Sequence, residues 1–311
     1  MVGGRRCDSV RIMNINRRDA LLSTAALLGG VATVRAGARS GGGTTTGGAA
    51  VQMSDVDLLT AFAKARYALD DRVTIGWVDA ITYAFIDGAT YPLYRLRAGT
   101  WVRMRRVDDL HFVGRTIETA YFFDPSTDEL LTELTMPVTG TVVPVKTYRA
   151  GPSKASLGVR EEEAGTFRMA DESRNGSNFF REGQTMRRQS LSQPMREGDD
   201  LFMREDQGTR VTPAAGGKPI FFYSEWTITR ADWKDVQNPK LQYVDSTLQY
   251  SAIAAFRPWM KMDGVDGHTL QNGRGGRARR KEDLPPRFLE MVRKYDPDLL
   301  DDPGKVLGAM P

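Results

Sequence analysis

The hydrophobic pattern changes its period along the chain. Leu58, Leu59, Phe62, Ala65, Arg66 and Leu69 recur at helical spacing. Ser54 can cap the first turn, and Asp57 sits near the positive helix end. This predicts a helix from Ser54 to near Asp70-Asp71, acting as a plug or lid on the strands C-terminal to it. From Val73 the period falls to two. Val73 to Ile86 is rich in β-branched and aromatic residues and ends at Asp87-Gly88, a hairpin signal. Further strands are predicted at Tyr91–Arg97, Trp101–Val107, Val113–Phe123, Leu130–Met136 and Thr141–Tyr148. The turns between them fall at Ala98-Gly99, Asp124–Asp128 and Pro137–Gly140.

From Gly151 to Gly217 the pattern is polar and irregular. It predicts only one or two strands, at Gln184–Ser190 and Asp200–Arg204, within long loops. Ile220 to Thr229 alternates clearly, with Phe221, Tyr223, Glu225 and Thr227 on one face. Leu241 to Phe256 carries the last strands into an Arg257-Pro258-Trp259 corner. The glycines from Gly264 to Gly276 predict a mobile loop. Asp283 and Pro285-Pro286 open a final helix with Phe288, Met291, Val292 and Tyr295 on its buried stripe. Short strands joined by tight turns, with no room for intervening helices, point to a mainly β protein. The expected architecture is an antiparallel, barrel-like (calycin/lipocalin-like) single domain over residues 53–311, with one helix at each end.

Ahead of that domain the chain reads as an address. Asn16-Arg17-Arg18-Asp19-Ala20-Leu21-Leu22 is a twin-arginine pattern. A moderately apolar run to Val34 and Ala36-Gly37-Ala38 complete a signal peptide over residues 1–38. Residues 39–52, including SGGGTTTGGAA, form a flexible tether. Translation from Met13 would keep the whole signal. The expected location is periplasmic or secreted, with the twin-arginine export machinery as a partner and no stable membrane insertion, because the apolar run is short.

Charge follows from the leader. The chain has 43 basic and 39 acidic residues. The leader holds six of the arginines and two of the aspartates, so the remainder is neutral. A nucleic-acid partner, which calls for a basic excess, is not expected. The single cysteine, Cys7, also lies in the leader. Thiol chemistry and disulfides are therefore not expected in the mature chain. With two histidines far apart, neither a metal site nor a cofactor is expected. Asp263 and Asp266 (DGVDG) make only a fragment of a calcium loop and read better as a turn.

The candidate chemistry is of two kinds. His111, Arg115, Glu118, Lys261 and His268 are the acid–base candidates. Trp101, Tyr121, Tyr223, Glu225, Arg257 and Trp259 are the pocket-lining candidates. A barrel mouth could gather both sets, with His268 on a glycine-hinged loop and Lys261 beside the Trp259 indole. A Glu225 inside a barrel would need a partner or would carry a raised pKa.

The stretches ETAYFFDPSTDELL (118–131), Pro137-Val138-Thr139-Gly140, FYSEW (222–226), FRPWMKM (256–262) and DLPPRFLEMVRKYDPDLLDDP (283–303) occur in order. In them the chain resembles the family catalogued as domain of unknown function 1838, whose members often carry twin-arginine leaders. The resemblance implies a β-rich, barrel-like fold and no particular reaction. The functional expectation is an exported protein that binds a small apolar or aromatic molecule in a central pocket. The alternative is a cofactor-independent lyase, isomerase or hydrolase in the same scaffold.

Overall fold

The computed structural model describes residues 48–165, 183–213 and 221–311. The expected leader with Cys7, most of the tether, Phe179-Phe180 and Ile220 lie outside the described residues. The first described elements are strand β1 (Ala49–Ala50) and helix α1 (Asp55–Arg66). As predicted, the Ser54 hydroxyl accepts from the Asp57 amide. The helix stops at Arg66, a turn short of the expected Asp70.

Strands β2 (Val73–Ile86), β3 (Ala89–Arg106) and β4 (Phe112–Phe123) form an antiparallel meander. Asp87 and Gly88, both with positive φ, make its first turn. The expected turn at Ala98-Gly99 is absent: β3 runs through it as one 18-residue strand. Gly99 serves packing instead, since a Cβ there would lie 2.4 Å from the Phe288 ring. A separate hairpin pairs β5 (Glu133–Thr135) with β6 (Val142–Pro144) around the predicted Pro137–Gly140 turn.

The segment from Gly151 contributes far more strand than its polarity suggested. It holds the end of β7 (Tyr148–Leu157), then β8 (Arg160–Gly165), β9 (Gly183–Leu191), β10 (Met195–Glu197) and β11 (Asp200–Pro213). Its polar positions are half of an alternation. Leu201, Met203, Glu205, Gln207 and Thr209 share one face of β11. Next come β12 (Phe221–Asp232), α2 (Trp233–Gln237), β13 (Ser246–Ala254) and β14 (Gly267–Ala278). The expected glycine-rich loop is therefore largely a strand. Gly273 and Gly275 are demanded by packing, because a Cβ at either would lie 2.3 or 2.0 Å from a β2 carbonyl. Helices α3 (Pro286–Tyr295), α4 (Asp298–Asp301) and α5 (Pro303–Leu307) follow. Asp283 sits in the short turn before α3 rather than at its cap.

The main sheet is antiparallel, with order β1-β10-β11-β12-β13-β14-β2-β3-β4-β7, and β9 and β8 extend it from the second half of β11. It curls around α1. Leu58, Leu59 and Phe62 pack against Val102, Met104, Phe112 and Leu157 from one side of the sheet, and against Leu191, Leu201, Met203 and Ala231 from the other. The helix is anchored by polar groups too. Lys64 Nζ donates to the carbonyls of Val236 and Asn238, and Arg277 Nη1 donates to the Lys64 carbonyl at the helix end. Burial pushes the Arg277 pKa down to about 10. Strands β7 and β8, though joined by Gly158-Val159, do not pair with each other.

The C-terminal helices cover the outer face of β2, β3 and β4. Trp101, Ile117, Tyr121 and Phe123 are fully buried against Phe288, Met291, Val292 and Leu299. The described residues are thus mainly β, with few helices, in one domain. No described helix is long and apolar enough to cross a membrane.

Candidate functional site

Strand alternation sorts side chains into two faces, and burial on β4 runs opposite to expectation. Outward Ile117, Thr119, Tyr121 and Phe123 are buried under α3. Inward Thr116 and Glu118 keep accessible surface. The same holds on β3, where outward Arg97, Gly99 and Trp101 are buried while inward Leu96, Ala98 and Thr100 remain partly accessible. Glu118 has more than a third of its surface accessible. Such a side chain stands on the concave face of the curled sheet, the hollow, rather than against packed atoms.

The hollow has two packed ends. One is the α1 plug. At the other, Ala84, Ile86, Tyr94, Ala120 and Phe122 pack with Met260 and Met262. Trp259 closes that end from the corner, 6.3 Å from the Tyr94 ring and 6.1 Å from Phe122. Arg257 stacks over the Phe221 and Tyr223 rings, at 5.2 and 5.6 Å.

Between these ends the inward residues are polar. Tyr223 and Glu225 are two apart on β12, so they share a face, and the Tyr223 hydroxyl donates to Glu225 Oε2. The Tyr223 and Tyr250 hydroxyls are 3.1 Å apart. Tyr250 donates to Gln271 Oε1 at 2.9 Å, and Gln271 Nε2 donates to Thr82 Oγ1 at 3.0 Å. This chain of hydrogen bonds crosses β12, β13, β14 and β2. A second group surrounds Glu205, whose Oε1 accepts from Gln207 at 2.9 Å and Gln189 at 3.4 Å.

Burial governs the electrostatics. It pushes the Glu225 carboxyl up to about 7; the Tyr223 bond opposes this, and the negative field of Glu205 adds to it. Burial and the adjacent Glu225 push the Tyr223 hydroxyl well above its ordinary value. Tyr250 moves in the same direction for the same reasons. Tyr67, at the end of α1, is raised by burial and then by Glu205. Tyr148 is raised by burial and then by Glu118. Burial raises Glu118 too, against the pull of Arg187 and Arg257.

The eleven candidates from the sequence do not converge. Glu118, Tyr223 and Glu225 face the hollow, and Arg257 and Trp259 stand at its far end. Trp101 and Tyr121 face outward. Trp101 packs on Phe288, and the Tyr121 hydroxyl donates to the buried Asp296 at 2.6 Å. They form core under the C-terminal helices rather than pocket wall, because strand parity and Gly99 bring α3 onto that face. His111 is exposed on the β3–β4 turn, bonded to Asp108 at 3.0 Å. Arg115 points outward and donates to the Ala309 carbonyl at 3.2 Å. Lys261 is exposed, in a left-handed conformation that ends the corner turn. His268 stands on β14, not in a loop, and faces away from the hollow with its ring 5.1 Å from Phe85. Burial there lowers its pKa, with Asp266 opposing. Among the described residues no group of three or more His, Cys, Asp or Glu could hold a metal ion.

Residues 218–308 match the model of DUF1838, a protein family of unknown function. This matched stretch, the DUF1838 region below, spans under a third of the chain. No curated protein matches the chain. A solved DUF1329 family protein from Desulfovibrio piger is similar at 10% identity, over 70% of this chain and 89% of that one, with a TM-score of 0.18.

The DUF1838 region supplies Tyr223, Glu225, Tyr250, Arg257, Trp259 and Gln271. Glu118, Arg187 and Glu205 come from strands that precede it. The polar interior is therefore built jointly by the DUF1838 region and the strands before it. Sequence reasoning missed Tyr250, Gln271, Thr82, Glu205, Gln189, Gln207 and Arg187. The alternation of β11 held the signal for Glu205 and Gln207. Tyr250 lay in an apolar run with nothing to mark its hydroxyl.

Proposed function

We propose that the protein binds a small molecule inside a lipocalin-like, barrel-shaped sheet. The observation that carries this reading is the inverted burial in the middle of β3 and β4, where Arg97, Gly99, Trp101, Ile117 and Thr119 on the outer face are buried while Leu96, Ala98, Thr100, Thr116 and Glu118 on the inner face remain accessible. The lining narrows the ligand. Leu96, Ala98 and Tyr148 supply apolar and aromatic surface, while Glu118, Gln207, Glu225 and Gln271 supply hydrogen-bonding groups. A ring-bearing molecule with polar substituents matches such walls better than a purely apolar one. On the strength of the twin-arginine pattern, we further propose that this takes place in the periplasm or outside the cell.

Native mass spectrometry of the whole protein, purified from its host without denaturation, tests the reading. The expected result is a retained organic molecule near unit occupancy, lost in a Tyr250→Phe/Glu225→Gln double variant. A protein that is empty, and that captures nothing from a host metabolite extract, would overturn it.

A second reading, acid–base catalysis, is favoured by one observation. Glu225 has its pKa near neutrality and is hydrogen-bonded to Tyr223, so it can exchange a proton in the working range of most enzymes. This version rests on Glu225 and Tyr223, not on His111, Arg115, Lys261 or His268. It predicts that Glu225→Gln retains a captured metabolite unchanged where the wild type converts it. Equal conversion by both proteins would exclude it.

A further inference from the structure

Four side chains on the inner face share too few hydrogens. Glu225 Oε2 meets the Tyr223 hydroxyl, which lies 3.1 Å from the Tyr250 hydroxyl, which lies 2.9 Å from Gln271 Oε1. Each of these three contacts between oxygens needs a hydrogen, and the two tyrosines bring one apiece. With Glu225 ionised, Tyr223 donates to the carboxylate and Tyr250 to Gln271, so the contact between the hydroxyls holds none. With Glu225 protonated the count closes. Glu225 donates to Tyr223, Tyr223 to Tyr250, and Tyr250 to Gln271, all in one direction.

The far end fixes that direction. Gln271 Nε2 donates to Thr82 Oγ1 at 3.0 Å, which turns Oε1 towards Tyr250. An ionised Glu225 would need the row reversed from end to end, with the amide turned over. Register holds the row in place. Glu225, Ala252, Gln271 and Thr82 pair in sequence across β12, β13, β14 and β2. Tyr223 and Tyr250 come from the rows on either side. Tyr250 and Thr82 are buried, where a missing hydrogen is costly.

We propose that Glu225 stands in this interior as a carboxylic acid, and that Tyr250 and Gln271 are the positioning residues that hold its proton. The titratable groups facing Glu225 are Tyr223 on its own strand, Glu205 on β11, Tyr250 on β13, Glu118 on β4, and Arg66 and Tyr67 at the end of α1. Gln207 and Ala252, directly opposite it in the two ladders, are neutral. Burial, Glu205 and Glu118 disfavour its charge, and Arg66 favours it.

NMR of the whole protein, with glutamate labelled by carbon-13 at the side-chain carboxyl, reads the proton directly. Loss of one resonance in Glu225→Gln assigns it. The wild type is expected to keep this proton at about pH 6, where an ordinary glutamate has lost it. Tyr250→Phe and Gln271→Met each remove an acceptor further along the row. Tyr223 is then free to donate to the carboxylate, and the Glu225 midpoint is expected to fall by about one pH unit in each variant. A merely structural role predicts the opposite, because loss of a polar neighbour leaves the midpoint unchanged or raises it. Tyr250→Phe keeps its ring and carries the test if the Met variant folds poorly. An unchanged or raised midpoint in Tyr250→Phe overturns the proposal, as does a wild-type Glu225 ionised at about pH 6. The proposal deepens the acid–base reading, yet the proton is located without turnover. A wild type that holds the proton and converts no metabolite would exclude catalysis and support the proposal.

Discussion

The two faces of the sheet carry the same pair of groups to opposite ends. On the outside, the Tyr121 hydroxyl donates to Asp296, a fully buried carboxylate that also accepts from Arg149 at 3.1 Å. On the inside, the Tyr223 hydroxyl donates to Glu225, and no described arginine forms an ion pair with it. The outer carboxylate has a cation within reach and pins α3 to the sheet. The inner one has only a neutral donor, and desolvation pushes its pKa up to about 7. A tyrosine–carboxylate pair thus becomes a clamp or a titrating group according to whether a guanidinium completes it.

Removing the outer clamp should have the largest effect. Asp296→Ala removes the acceptor of the Tyr121 hydroxyl bond and one of the two acceptors of Arg149 Nη1, which keeps Asp298. Chemical denaturation should show a loss of about 4 kcal/mol, in the range for breaking a buried pair. A loss near zero would mean that the outer network does not hold α3.

The inner pair is tested by pH. The Glu225 pKa is raised in the folded state above its ordinary 4.5, so the native protein holds a proton that the unfolded chain releases. Its stabilising contribution is present in full below pH 4.5 and is lost as pH rises through about 7. That loss amounts to about 3 kcal/mol. Glu225→Gln should remove this component. Denaturation midpoints measured from pH 4 to 8 should fall less steeply in the variant than in the wild type. Parallel curves would place the titration elsewhere.

Gly99→Ala forces a methyl onto the Phe288 ring, which is already wedged between Trp101 and Tyr121 at 6.1 and 5.7 Å. A destabilisation of about 2 kcal/mol is expected, with the loss of near-ultraviolet signal from the outer aromatic cluster. The smallest effect belongs to Lys261→Ala. This side chain is exposed, so stability should stay within about 0.5 kcal/mol and ligand capture should be unchanged. A loss of capture would move the site to the corner.

Strand existence was legible where alternation was strong, as over Val73–Ile86 and at FYSEW. It was obscured where residues had reasons other than local structure. Gly99 read as a turn because its sequence shows only a missing side chain, whereas the structure shows what fills the space. Gly273 and Gly275 read as loop for the same reason. In the site, Tyr223 and Glu225 were found because they alternate on one strand. Trp101 and Tyr121 were misplaced because alternation gives two faces without saying which one the C-terminal helices will cover. The Tyr223–Tyr250–Gln271–Thr82 chain joins four strands, and its members meet only through register, which no single stretch of sequence reveals.

The pairing of β2 with β14 has a consequence for how the molecule comes to exist. It sets Trp77 against Gly276, so the middle of the sheet is made from opposite ends of the domain. Closing so long a loop is entropically unfavourable and slow. A ribosome must release nearly the whole domain before the sheet can join, and until then β2 and β13 each present an unsatisfied edge. The nascent chain therefore waits as two separate ribbons, and any arrest before Gly267 leaves edges open to other chains.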